Sequence, residues 1–209
     1  MKRCSTCKET KELTEFPKDK RSSSGVKSEC KYCHKERNKR LYHANKERYA
    51  EVKREYIRNN PSYRRSQKHR KKARIRNLTN NWTKADLESV KRHFNHRCPL
   101  TGSEDIHFDH FIPLSIGHGG SYVGNMIPLD GVLNASKCAS NPFEWIKTRN
   151  DIEVNKFNKV VEYLAELNGL TPNEFRSFVY WCFENKRSID EIKSDTRSSI
   201  EIWRSKRSA

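Results

Sequence analysis

The segment Ile106-His107-Phe108-Asp109-His110-Phe111-Ile112-Pro113 sets a carboxylate beside an imidazole at the end of an apolar, strand-like run. Asn125-Met126-Ile127-Pro128 and Asn134-Ala135-Ser136-Lys137 follow, placing one asparagine on a returning strand and another in a short helix beyond it. Aspartate and asparagine oxygens suit a hard cation such as Mg²⁺, and a neutral imidazole can take a proton from water near pH 7. Together these are the minimum equipment for metal-assisted hydrolysis of a phosphodiester. An isolated Asp-His pair is more often a surface or capping pair than a catalytic one. The whole ordered set points to chemistry, including Ile112-Pro113-Leu114, the loop Gly117-His118-Gly119-Gly120-Ser121 and Ile127-Pro128-Leu129.

The elements that must position these residues are legible around them. Asn81-Trp82-Thr83 caps a helix over about 84–95, with Leu87, Val90, Lys91 and Phe94 spaced for one buried face. Cys98-Pro99-Leu100-Thr101-Gly102 is a turn, and a strand over 106–112 follows. The glycine loop leads to a second strand over 125–129, which Asp130-Gly131 breaks before a short helix carrying Asn134 and Lys137. Asn141-Pro142 closes the module and starts another helix. Residues 150–209 read as helices: Val154, Phe157, Val160, Val161 and Leu164 share a face that ends at Asn168-Gly169. Thr171-Pro172-Asn173-Glu174 starts the next, and a last helix includes Ile200 and Trp203. Nothing in 150–209 suggests chemistry, and core packing is its default role.

Residues 106–137 resemble the ββα-metal core of HNH endonucleases, in the form whose third motif position is Asn. The resemblance implies that Asp109 and Asn134 ligate one divalent ion, Mg²⁺ or Mn²⁺, and that His110 removes a proton from the attacking water. It implies that Asn125 braces the connecting loop and so orients His110, and that cleavage leaves 5′-phosphate and 3′-hydroxyl ends. Lys137 shares a helix face with Asn134 and is expected to grip a phosphate. His107, on the strand face of Asp109, is either a further ligand or a solvated histidine. His118 either approaches the scissile phosphate or stabilises its loop. Many such modules hold a second zinc between two Cys-x-x-Cys pairs. Here Thr101 and Asn141 stand where those pairs would be completed, so Cys98 and Cys138 are expected to be buried thiols.

Four of seven cysteines form two pairs, Cys4-x-x-Cys7 and Cys30-x-x-Cys33. Tetrahedral thiolate coordination of one structural Zn²⁺ would give this short segment a folding energy its few apolar residues cannot supply. Two disulfides are the alternative, disfavoured by the absence of an export signal. His34, next to Cys33, is a possible substitute ligand. The arrangement looks like the zinc ribbons in front of phage HNH enzymes.

The formal charge is +17, of which residues 35–76 carry +13. Concentrated basic charge is the footprint of a polyanion-binding surface, because each neutralised phosphate releases counterions. A solvated helix usually interleaves both signs, and a membrane-surface helix needs an apolar face that is absent here. The segment predicts one helix over 35–58 and, after Asn60-Pro61, a second to about Arg76. Arg40, Lys53, Arg54, Arg64, Arg65, Arg70, Lys71 and Lys72 are the expected contacts to double-stranded DNA, mainly through its backbone. Tyr42, Tyr49, Tyr56 and Tyr63 recur every seven residues. They form a stripe that either packs on another module or backs a DNA-facing surface.

The sequence therefore predicts an α+β protein in four parts: a zinc ribbon (1–34), a basic helical arm (35–80), an HNH nuclease core (81–149) and a C-terminal helical region (150–209). It has no membrane span and no secretory signal, so a cytoplasmic location and no membrane partner are expected. The function expected is a metal-dependent DNA endonuclease, for which homing and phage packaging are both open roles. A non-catalytic DNA-binding regulator and an RNA-directed nuclease are the rivals.

Overall fold

The computed structural model describes residues 1–207 of an α+β chain that divides into two compact units, Met1–Asn59 and Asn60–Ala209. That division does not fall at the expected boundaries 34, 80 and 149. It splits the basic arm, giving its first half to the cysteine module and its second half to the unit with the Asp-His segment. No helix among the described residues is long and apolar enough to cross a membrane.

In the first unit, β1 (Lys2–Arg3) pairs antiparallel with β2 (Thr10–Lys11) around the first cysteine pair. Lys8 turns that knuckle in the left-handed region, with φ 63°. Cys30 caps α1 (Lys31–Ala44), so Cys33 lies in its first turn. The core is Cys4, Phe16, Val26, Cys30 and Cys33. Where the sequence predicts one helix over 35–58, there are two, α1 and α2 (Lys46–Asn59). Asn45 separates them: its side-chain amide donates to the Leu41 carbonyl at 2.8 Å, satisfying a helix-end acceptor. Tyr42 and Tyr49 stack across this break at 6.0 Å, exposed.

The second unit opens with α3 (Pro61–Ile75) and α4 (Lys84–His93). Thr83 and Asp86 form a reciprocal capping box on α4, which ends at His93, two residues before the expected 95, and the chain then turns through Asn95 and His96 (φ 51° and 60°). β3 (Ile106–His110) and β4 (Met126–Asp130) make an antiparallel hairpin with Asp109 opposite Ile127 and His110 opposite Met126. β3 stops at His110 rather than Ile112, because Asn125 takes over the backbone of Ile112. Asn125 itself precedes β4, in a short 3₁₀ turn over 123–125. Asp130 is the last residue of β4 and caps α5 (Gly131–Lys137), accepting the Val132 N–H at 2.8 Å.

The remaining helices are α6 (Pro142–Lys147), α7 (Val154–Leu167), α8 (Pro172–Glu184), α9 (Ile189–Ser194) and α10 (Ser199–Arg207). α9 lies within the 150–209 stretch that reads as helical, between the helix started by Thr171-Pro172 and the last one. The hairpin lies between two apolar clusters. Phe108 and Met126 pack with Trp82, Leu87 and Val90, while Ile127 and Leu129 join Phe111, Leu133 and the faces of α7 and α8. Regions 81–149 and 150–209 therefore share one core. Cys98 and Cys182 are buried in it, but Cys138 is exposed, against expectation, because it leaves α5 with φ 47° and turns outward.

Candidate active site and metal centre

Successive strand residues face opposite sides of a sheet, so Asp109 and His110 are neighbours in sequence that meet different partners. Asp109 faces α5. Lys137 Nζ stands 2.8 Å from its Oδ2 and donates to the His110 carbonyl at 3.1 Å. Lys137 is only 1% exposed. The expected phosphate-gripping lysine is thus withdrawn from solvent, because it is the cation that compensates the half-buried Asp109 carboxylate. Burial raises the Asp109 carboxyl above its ordinary value, against the opposing pull of Lys137. Asp109 Oδ2 has no hydrogen bond of good geometry beside this ion contact. Asn134 is half-buried one helical turn before Lys137, on the same side of α5.

His110 faces α3. Its Nε2 lies 2.8 Å from Ser121 Oγ, and that hydroxyl donates to the His69 carbonyl, also at 2.8 Å. The His69 ring meets the His110 ring edge-on at 5.3 Å. Burial pushes the His110 imidazole down to about 3, and His69, Lys72, Lys137 and Arg76 act in the same direction. The ring is therefore neutral at pH 7. His69 is lowered by burial to about 4, and its Nδ1 is buried without a partner. Neither His69 nor Ser121 carried a sequence signal beyond a basic run and a glycine-rich loop.

Asn125, fully buried, is spent on backbone. Its Oδ1 accepts Ile112 N–H at 2.7 Å, and its Nδ2 donates to the carbonyls of Ile112 (3.0 Å) and Gly120 (2.9 Å). It braces both ends of the loop and touches nothing a substrate would occupy. The C-terminal helices hold the same loop from outside. His118 pairs with Ser199 Oγ (3.0 Å) and the Asn185 carbonyl, Arg187 Nε donates to the Gly117 carbonyl (3.1 Å), and Asn168 donates to the Gly124 carbonyl (2.9 Å). His118 is thereby a loop anchor, fully buried. His107 is exposed, 3.6 Å from Asp105.

Lys72 acts electrostatically on both Asp109 and His110. Arg64, Arg65, Lys71 and Lys72 are exposed on α3, as are Arg40, Lys53 and Arg54 on α1 and α2. Arg70 is committed to structure, its Nε donating to the Asn80 carbonyl at 2.7 Å.

No family model, curated protein or solved structure matches this chain.

In the first unit the ligand atoms of Cys4, Cys7, Cys30 and Cys33 all lie within 4.8 Å of one another, positioned to hold a metal ion. Cys4 Sγ accepts backbone N–H groups from Cys30 (3.3 Å) and Thr6 (3.4 Å). The Cys30 bond leads in lowering its thiol to about 6, whereas burial among the other sulfurs raises Cys33 to about 12. Four thiols so close cannot all ionise without a cation between them. His34 stays outside the cluster, against Glu29 (3.4 Å) and Arg37 (2.9 Å).

Proposed function

We propose that this protein is a metal-dependent endonuclease of HNH type that hydrolyses double-stranded DNA, with a structural Zn²⁺ on its four N-terminal cysteines. The observation that carries the reading is the hairpin-and-helix arrangement in which a neutral, fixed His110 adjoins a half-buried Asp109 whose Oδ2 is answered only by a cation. A carboxylate oxygen is the kind of ligand a hard divalent ion takes. Asp109 and Asn134 would hold that ion, which supplies charge stabilisation to the phosphoryl group and the departing 3′ oxygen when bound. His110 takes the proton of the attacking water. Asn125 keeps the loop, and through it His110, in place. Exposed Arg and Lys of α3, with Lys72 foremost, meet the phosphate backbone.

Lys137 favours one rival. A lysine that already satisfies Asp109 would serve equally well in a DNA-binding protein that has no metal. Supercoiled plasmid incubated with Mg²⁺ or Mn²⁺ separates the two. Relaxed or linear product that disappears with EDTA and in His110→Ala supports the endonuclease. Plasmid retarded but uncut with both metals overturns it.

A further inference from the structure

We infer that Ser121 is a positioning residue that fixes the His110 imidazole as the Nε2–H tautomer, using a backbone carbonyl of helix α3 as its anchor. The inference rests on the reading of His110 as the proton acceptor, and adds which nitrogen does the accepting. A serine hydroxyl has one hydrogen and a carbonyl oxygen has none. Ser121 Oγ sits 2.8 Å from the His69 carbonyl and 2.8 Å from His110 Nε2. Its only hydrogen goes to the carbonyl, so toward the imidazole it can only accept. His110 Nε2 therefore carries the hydrogen, and Nδ1 keeps the lone pair that a general base needs.

The serine has no freedom to do otherwise. It is completely buried, its own N–H donates to the Thr79 carbonyl at 2.7 Å, and its carbonyl accepts the Trp82 N–H at 2.9 Å. Thr79 and Gly120 form an isolated bridge beside it. Arg70 of α3 ties the same 79–82 segment through the Asn80 carbonyl. His69 lies inside α3, where its carbonyl has a second lone pair beyond the one the helix uses. The basic helix and the base are thus joined by two hydrogen bonds through one hydroxyl. Movement of α3 would act on the orientation of His110 without any contact between that ring and nucleic acid.

The test is ¹⁵N–¹H NMR of the histidine rings in the full-length protein at neutral pH, with His110 assigned by its loss in His110→Gln. The expected wild-type spectrum has a protonated Nε2 whose hydrogen is protected from exchange, and an unprotonated Nδ1. In Ser121→Ala the protected Nε2 hydrogen is lost, and plasmid cleavage slows about 10- to 100-fold, the range for removing a partner that orients a functional histidine. A wild-type His110 protonated on Nδ1 overturns the relay whatever the variant does. A protected Nε2 hydrogen that persists in Ser121→Ala overturns it too. Plasmid left uncut by wild-type protein with Nε2–H in place overturns the endonuclease reading alone.

Discussion

Lys137 Nζ lies 2.8 Å from Asp109 Oδ2, joining the last turn of α5 to β3 through an ion pair almost closed to solvent. The pair answers the carboxylate from within the chain. Removing one member of a buried pair leaves the other charge uncompensated, at a cost of about 3–5 kcal/mol.

Lys137→Met should therefore be destabilised by about that amount in EDTA, and Mn²⁺ should recover part of the loss by answering the same carboxylate. Thermal melts with and without Mn²⁺ measure this. A variant melt that Mn²⁺ leaves unmoved would show that no divalent ion takes the place of the ammonium.

Acid should weaken the second unit before the carboxylates titrate. His69 and His118 are held neutral in the fold, each lowered from 6.5 to about 4 with burial the leading cause. Between those values the unfolded chain takes up protons that the folded chain refuses, so stability falls as pH drops below 6.5. The loss is up to about 1.4 kcal/mol per pH unit for each fully withdrawn ring, and above 6.5 neither contributes. Urea midpoints at pH 8, 7, 6 and 5 should be flat across the first two and fall across the last two. A midpoint constant down to pH 5 would contradict the burial of these rings.

The first unit should depend on metal for its structure. Three of its five core residues are cysteines of the cluster, leaving Phe16 and Val26 as the remaining apolar filling. A structural Zn²⁺ supplies on the order of 10–16 kcal/mol in comparable small modules. Elemental analysis should find one zinc per chain, lost in Cys30→Ser, and hydrogen exchange should then show residues 1–44 deprotected. Full protection of these amides in zinc-free protein would argue against the site.

Gly120→Ala should damage the candidate site from a distance. Gly120 has φ 140°, and a Cβ there would stand 2.6 Å from the Thr79 carbonyl oxygen. The strain alone costs about 1–3 kcal/mol, and relief displaces Ser121, the next residue. Plasmid cleavage should slow in a variant whose circular dichroism is unchanged. Wild-type cleavage with a wild-type melting temperature would show that the segment yields freely.

What the sequence displayed was local. Cysteine pairs, the cap at Thr83, the Thr171-Pro172 helix start and the Asp109-His110 adjacency are each written within a few residues. What it hid was contact across distance. Ser121 meets His110 from 11 residues away and the His69 carbonyl from 52, and His118 meets Ser199 from 81. No spacing rule connects them, because tertiary packing alone sets which hydroxyl reaches which ring. Spacing puts Lys137 on the helix face of Asn134, but charge by itself says nothing of burial, and Lys137 is 1% exposed. The Asn45 break was hidden by strong helix formers on either side, which a single side-chain hydrogen bond interrupts.

The loop between β3 and β4 is clasped by Thr79 before the hairpin and by Asn168, Asn185, Arg187 and Ser199 after it. The stretch that contains Asp109, His110, Asn125 and Asn134 is consequently not a portable cassette. Cut out at residues 81 and 149, or spliced into another scaffold, it would carry every candidate reactive group and lose the clamps that shape them. The smallest part that keeps these clamps is the whole second unit, so recombination within residues 60–207 should be far less tolerated than exchange of the cysteine module in front of it.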